Sequence, residues 1–289
     1  MLFRSVEGKV VQHAVTIPEG LTSEQIVARL TDNDIFAGGV REMPREGTLL
    51  PETYKFPRGT TRDQVIQRMQ QAQKRVLAEI WERRNPDVPI KSPEQLVVLA
   101  SIVEKETGKA DERSRVAAVF VNRLRQKIKL QSDPTIIYGL VGGKGTLGRP
   151  IKRSEIQQPS PYNTYVIDGL PPGPIANPGR ASLEAAANPA RTRDLFFVAD
   201  GTGGHAFTET YDQHQKNVAK LRSMEKQIQN DTVEPADDAP PPAAAAPADT
   251  NPTATTKPAA PKRPARPAAP AGARQGAAQS TTTPPVVQR

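Results

Sequence analysis

Leu96-Val97-Val98-Leu99-Ala100-Ser101-Ile102-Val103-Glu104-Lys105-Glu106-Thr107 is the stretch on which the reading of this chain turns. Ser92-Pro93-Glu94 precedes it and Gly108 follows it. Serine can cap the first free N–H groups of a helix, proline suits the first turn, and glycine stops a helix. The spacing predicts a helix from Ser92 to Thr107. At about 100° per residue, Leu96, Val97, Val98, Leu99, Ala100, Ile102 and Val103 fall on nearly every side, so the helix is buried. Glu94, Ser101 and Lys105 share one narrow polar sector. Glu104 and Glu106 leave that sector and lie beside aliphatic neighbours, one turn beyond Ala100 and Ile102 respectively. A carboxyl held against apolar surface resists ionisation, and such an acid can donate a proton near neutral pH. The same positions also suit two glutamates at the wet end of the helix, paired with Lys105, Lys109 or Arg113. Position does not choose between these readings, nor between Glu104 and Glu106.

Further helices are expected on either side. Val65, Ile66, Met69, Ala72, Val76, Leu77, Ile80 and Trp81 recur at helical spacing between Thr61 and Arg84, and Asn85-Pro86 closes the run. Helices are also expected over about 111–127, 133–140, 181–188 and 211–227. Residues 8–17 are β-rich and end at Pro18-Glu19-Gly20. Thr22-Ser23-Glu24-Gln25 then offers a cap before Ile26, Val27 and Leu30. Residues 46–59, 142–149 and 159–179 read as loops, Leu130-Gln131-Ser132 as a strand end, and Leu195–Ala199 as a strand of the buried type. Many helices with few, scattered strands make the chain α+β.

Composition changes sharply near residue 230. Residues 231–289 hold 13 of the 29 prolines and no Leu, Ile, Phe, Tyr or Trp. Such a segment buries too little to offset roughly 1–2 kcal/mol of ordering entropy per residue, and is expected to be disordered. The formal charge is +8, of which +1 lies in that tail. A basic body suits a polyanionic partner, or is a solvated basic surface. The absence of cysteine excludes disulfides, Cys-ligated zinc and a thiol nucleophile. No stretch approaches the ~18–20 apolar residues of a membrane span. Taken literally, the chain is soluble and not exported.

Several signals fail. Gly139–Gly145 has the wrong spacing for a phosphate loop and lacks its Ser/Thr. His13, His205 and His214 show no metal-ligand pattern, so neither metal nor cofactor is expected. The positive charge is not gathered into a stripe, so nucleic acid is not an expected partner.

The run Leu99–Gly108 resembles the signature of the endolytic murein transglycosylase (YceG-like) family. The likeness continues through Glu112-Arg113, Val116–Leu124, Leu130–Gly139, Tyr162-Asn163-Thr164-Tyr165, Gly169–Gly179, Leu195–Asp200 and Gly204-His205-Ala206-Phe207. Upstream, Leu50-Pro51-Glu52-Thr53-Tyr54 is similar to the family's Pro-acidic-Thr-aromatic loop. This resemblance implies three parts: the remnant of a small LysM-like module over 1–40, a helix-rich catalytic domain over 41–229, and the tail over 230–289. It also implies a longer protein with a membrane anchor, acting at the periplasmic face of the bacterial inner membrane. The recorded chain carries no such anchor, so it reads as internal to a longer gene or as a trimmed form.

The implied reaction breaks the β-1,4 bond from N-acetylmuramic acid to N-acetylglucosamine inside peptidoglycan strands. The sugar's own 6-hydroxyl attacks, leaving a 1,6-anhydro end. An intramolecular nucleophile is already concentrated, so one carboxyl can serve as acid and then base. The family's catalytic glutamate is the second of the Glu-Lys-Glu pair, which is Glu106 here, with Glu104 as a supporting carboxylate. A cleft for a hydroxyl-rich sugar needs amide, hydroxyl and aromatic groups. Asn122, Arg123, Gln131, Ser132, Asp133, Tyr138, Tyr162, Asn163, Thr164 and Tyr165 are expected to line it. Each also has an ordinary reading: Asp133 as a cap, Tyr138 in the core, Asn163 in a turn, Arg123 paired with Glu112 or Asp111. The expected partner is the glycan strand. A second reading is a non-catalytic wall-binding scaffold that partners peptidoglycan synthases; a third is a hydrolase leaving reducing ends.

Overall fold

Three helices begin in closely related ways. The Thr22 hydroxyl accepts from the Gln25 N–H while the Gln25 side chain accepts from the Thr22 N–H, and Thr61 and Gln64 repeat the exchange. Ser92 accepts from the Gln95 N–H, with Pro93 as the first helical residue. Each cap satisfies N–H groups that a helix start leaves unpaired. The computed structural model describes residues 11–231. The beginning of the expected 8–17 strand and the tail beyond 231 lie outside those residues.

Among the described residues the elements run β1 (Gln12–Thr16), α1 (Ser23–Thr31), β2 (Thr53–Pro57), α2 (Arg62–Glu82), α3 (Pro93–Glu106) and α4 (Arg113–Arg125). They continue with α5 (Asp133–Val141), a 3-10 turn (Gly142–Lys144), α6 (Arg153–Ile156), α7 (Arg180–Ala187), β3 (Phe196–Ala199), β4 (His205–Thr208) and α8 (Tyr211–Asp231). The α+β expectation matches this order. β1 and β2 pair antiparallel, with Val15 opposite Tyr54 and Thr16 opposite Thr53. β3 and β4 pair antiparallel, with Phe197 opposite Phe207. No described helix is long and apolar enough to cross a membrane.

Two apolar clusters support these elements. The first gathers Val15, Ile26, Leu30, Leu49, Tyr54, Phe56, Val65 and Met69 from β1, α1, β2 and the first half of α2. The second gathers Ile80, the α3 aliphatics, Val116, Ala117, Phe120, Val121, Leu183 and Ala186. Val76 of α2 packs against both. Leu96 to Val103 is an unbroken buried run, and burying each large aliphatic contributes about 1.5–3 kcal/mol. This run fixes α3 rigidly up to its last residue, Glu106.

Four local expectations change. Residues 53–57 form β2 rather than loop, because Tyr54 and Phe56 alternate inward once β1 supplies a partner strand. Leu130-Gln131-Ser132 is not a strand end but an irregular turn into α5. β3 is only partly buried, with Phe197 against Phe120 of α4 and Phe196 against Tyr211 and His214 of α8, and β4 was not expected. Ser101, assigned to a polar sector, is fully buried; its hydroxyl donates to the Val98 carbonyl and accepts from the Ile175 N–H.

Candidate active site

Glu106 ends α3, and the chain leaves the helix at Thr107 in an extended conformation. The aliphatic helix therefore delivers one carboxyl to the edge of the core. The Ser132 hydroxyl, itself buried, donates to Glu106 Oε1 at 2.5 Å. Among the described residues Glu106 Oε2 has no hydrogen-bond partner, and it is not sealed from solvent. Desolvation pushes the Glu106 pKa up to about 7, with nearby Asp133 pushing the same way; the Ser132 bond and the charges of His205 and Arg123 work against the rise. The residue is half-buried, yet its carboxyl is enclosed enough for desolvation to dominate. One oxygen is thus anchored and the other is free, on an acid that changes charge near neutrality.

Ser132 is aimed by a strained turn. Gln131 has φ of 53°, in the left-handed region that side chains rarely adopt. Its N–H donates to the Thr164 carbonyl at 3.1 Å, and the Ser132 N–H donates to Thr164 Oγ1 at 2.9 Å. Thr164 is fully buried and its hydroxyl also meets Thr135 Oγ1 at 2.8 Å. Asn163 donates through Nδ2 to the Glu155, Ile156 and Gln158 carbonyls, and its Oδ1 accepts from the Tyr165 N–H. The side chains of Asn163 and Thr164 are spent on the protein, so they hold the wall of the site rather than face a sugar. Tyr165 does reach the edge: its hydroxyl donates to Asp133 Oδ1 at 2.6 Å, and burial, aided by that bond, raises the Tyr165 pKa.

One strip of α4 holds the other side. Arg123 Nε donates to the Leu195 carbonyl at 2.6 Å, while Nη1 reaches the Lys129 and Leu130 carbonyls and Gln131 Oε1. Asn122 Nδ2 donates to the Thr192 and Asp194 carbonyls. Arg115 forms a two-pronged pair with Asp194. The strip pins both the β3–β4 hairpin and the Gln131 turn. Arg123 therefore pairs with neither Glu112 nor Asp111. Asn122 and Arg123 are buried and engaged with the fold; Gln131 and Asp133 are exposed.

Glu104 has a different task. Its Oε2 accepts from the Gly179 N–H at 2.9 Å, and its Oε1 lies 4.0 Å from buried Arg113. It fastens the loop before α7 to α3. Tyr138 and Tyr162 form a pair of their own, with ring centroids 4.9 Å apart. The Tyr138 hydroxyl donates to Glu46 Oε2 at 3.3 Å.

Sequence reasoning missed Glu46, Asn177, Glu112 and His205. Desolvation raises the Glu46 pKa, and the carboxyl accepts from the Ser23 N–H and from Asn177 Nδ2. Asn177 is fully buried and joins Leu49, Leu21, Ser23 and Glu46. It locks the 169–179 wall to α1 and to the 46–50 segment. The signals available for Asn177 were the repeated Pro and Gly of that wall and its place in the Gly169–Gly179 stretch of the resemblance. A cleft of about 670 Å³ lies beside the N-terminal part of α3, lined by Leu77, Val97, Val98, Pro172 and Pro174 with Glu46 and α2 glutamines. Glu106 is not among the residues that line it.

A family model described as the YceG-like family matches residues 2–220. The chain is 33% identical over 224 residues to an endolytic murein transglycosylase of Bacillus subtilis, covering 71% of this chain and 60% of that protein. It is 31% identical over 225 residues to an endolytic murein transglycosylase of Streptococcus pneumoniae, covering 70% of this chain and 40% of the relative. The chain therefore spans between 40% and 60% of the length of these two relatives. The solved structure of a YceG-like protein from Listeria monocytogenes aligns with a TM-score of 0.58 and 32% identity, covering 70% of this chain and 75% of the other.

Proposed function

Since the chain belongs to the YceG-like family, we propose that it is a lytic transglycosylase that cuts peptidoglycan glycan strands internally, with Glu106 as its acid/base. The carrying observation is the state of Glu106: Oε1 anchored by Ser132, Oε2 free, and a pKa of about 7 caused by desolvation. The names of the curated relatives support the choice of substrate.

In this reading the protonated Glu106 gives its proton to the glycosidic oxygen as the bond to the muramic anomeric carbon breaks. The muramic 6-hydroxyl then bonds to that carbon and returns its proton to the Glu106 carboxylate. Atoms balance without water, and a single carboxyl suffices because the nucleophile is intramolecular. Gln131, Asp133 and Tyr165 edge the cleft and touch the sugar, while Asn122, Arg123, Asn163 and Thr164 hold the wall behind them. Tyr138 and Tyr162 offer an aromatic face farther along α5. The chain acts at the periplasmic face of the envelope, where its cuts end the growth of new strands. Residues 1–40 belong to a LysM-like module.

Asp133 favours a second reading. It is a carboxylate close enough to influence Glu106, and a hydrolase uses two carboxyl groups. The test of the enzyme reading is release of soluble fragments from purified glycan strands, measured with Glu106→Gln and Glu104→Gln in parallel. Release lost only with Glu106→Gln is the expected result. Equal loss with both, in folded proteins, or no release by the unaltered chain, counts against it.

A further inference from the structure

The cleft beside the N-terminal part of α3 takes no part in the proposed mechanism. At about 670 Å³ it is large enough for a short peptide. Leu77 of α2, Val97 and Val98 of α3, and Pro172 and Pro174 of the 169–179 wall make it largely aliphatic. Among the described residues no aromatic side chain lines it. A bare sugar, which favours aromatic faces and many polar partners, suits it poorly. Gln73, only 3% exposed, also lines the cleft. Its Nε2 donates to the Gly47 carbonyl at 3.1 Å, which fixes the amide, while its Oε1 has no hydrogen-bond partner. A buried acceptor without a donor is costly, and buried polar groups are nearly always paired. A peptide N–H would supply the missing donor. Charge points the same way. Arg45 and Lys74 line the cleft, are exposed, and are paired with no acid among the described residues. Glu46 has both oxygens taken, by Ser23, Asn177 and Tyr138, so only Glu94 opposes the two cations. A ligand with free carboxylates fits this balance.

The cleft is joined to the candidate active site through the tyrosine pair. α5 runs from Ser132, which holds Glu106, to Tyr138, about 9 Å along the helix axis. Tyr138 meets Tyr162 and donates to Glu46. A Cβ added to Gly173, on the cleft wall, would lie 3.0 Å from the Tyr162 hydroxyl. We propose that this cleft binds the peptide stems that peptidoglycan strands carry, short chains of small apolar residues with free carboxylates. The aliphatic walls take the side chains, Gln73 Oε1 accepts a peptide N–H, and Arg45 and Lys74 meet the carboxylates. This rests on the transglycosylase reading and deepens it, making the substrate a peptide-bearing strand rather than bare glycan.

The experiment measures binding to the full chain carrying Glu106→Gln, by anisotropy of end-labelled strands. Two probes are compared: purified glycan strands with their stems, and the same strands stripped of stems by an amidase. Stem-bearing strands are expected to bind roughly tenfold tighter. Arg45→Glu combined with Lys74→Glu, at exposed positions, should remove that preference and leave stripped strands within about threefold of their original affinity. Gln71→Trp, which fills the cleft from α2, should remove it too, and so should an excess of released stem peptide. Should Gln71→Trp fail to fold, the charge reversal decides. Equal affinity of the unaltered cleft for both probes overturns the proposal. A preference that survives in a folded variant, or that released peptide does not compete away, overturns it as well. If the chain with Glu106 intact cuts neither strand, the enzyme reading falls, while the binding comparison still decides what the cleft takes.

Discussion

Replacing Glu106 by glutamine should stabilise the protein, and the gain should depend on pH. The Glu106 carboxyl is raised from 4.5 to about 7 by desolvation. Below about pH 4.5 the folded and unfolded chains both carry the proton, so ionisation contributes nothing. Between about 4.5 and 7 the unfolded chain releases the proton and the folded chain keeps it, so stability falls as pH rises. Above about 7 the full cost stands, about 3 kcal/mol for a shift of this size. Glutamine has nearly the same shape, still accepts from Ser132, and does not titrate. The difference in stability between Glu106→Gln and the unaltered chain is therefore near zero at pH 4.5. It grows through pH 6 and levels off above pH 7.5. For a domain of this size that corresponds to a Tm gain on the order of 5–10 °C at high pH. Other titrating groups are common to both proteins and cancel in the difference. Paired thermal unfolding across this pH range is the assay. A gain that is flat with pH, or a loss at pH 8, would refute the reasoning that Glu106 is held in a desolvated site.

Other outcomes follow from the same contacts. Ser132→Ala removes a bond that favours the ionised carboxyl, so the alkaline limb of cleavage should move above about pH 7; a pH–rate profile checks this. Asn177→Ala takes the acceptor from the buried Leu49 N–H and removes one hydrogen bond each from Glu46 and the Leu21 carbonyl, and should cost about 2–4 kcal/mol in urea unfolding. Gly47→Ala places a methyl about 2.6 Å from the Pro174 side chain at φ of 76°, and should lower Tm by several degrees.

Long elements with local signals were legible in the sequence. The Ser92-Pro93 start, the aliphatic run to Val103 and the stop near Gly108 give α3 within a residue or two. α1 and α2 follow for the same reason, since their caps and apolar faces lie within one window. β2 was not legible because Thr53–Pro57 becomes a strand only by pairing with β1, far back in the chain. β4 is four residues long and depends on β3 in the same way. Ser101 misled because helical angles record the face of a residue, not its partner; the Ile175 N–H that satisfies its hydroxyl is distant in sequence. At the site, periodicity put Glu106 beside apolar neighbours, and resemblance chose it over Glu104. The Ser132 bond that anchors it crosses 26 positions. Burial of Asn163 and Thr164 was equally invisible, since polar residues in a Tyr-Asn-Thr-Tyr loop suit a sugar surface and a loop scaffold alike.

Digestion of purified glycan strands in water enriched with heavy oxygen, followed by mass spectrometry of the new ends, tests the enzyme reading most directly. Internal cuts with 1,6-anhydro ends that carry no heavy oxygen, and that vanish in Glu106→Gln, are the predicted result. Reducing ends that carry the label would contradict it and assign the second carboxyl role to a residue such as Asp133.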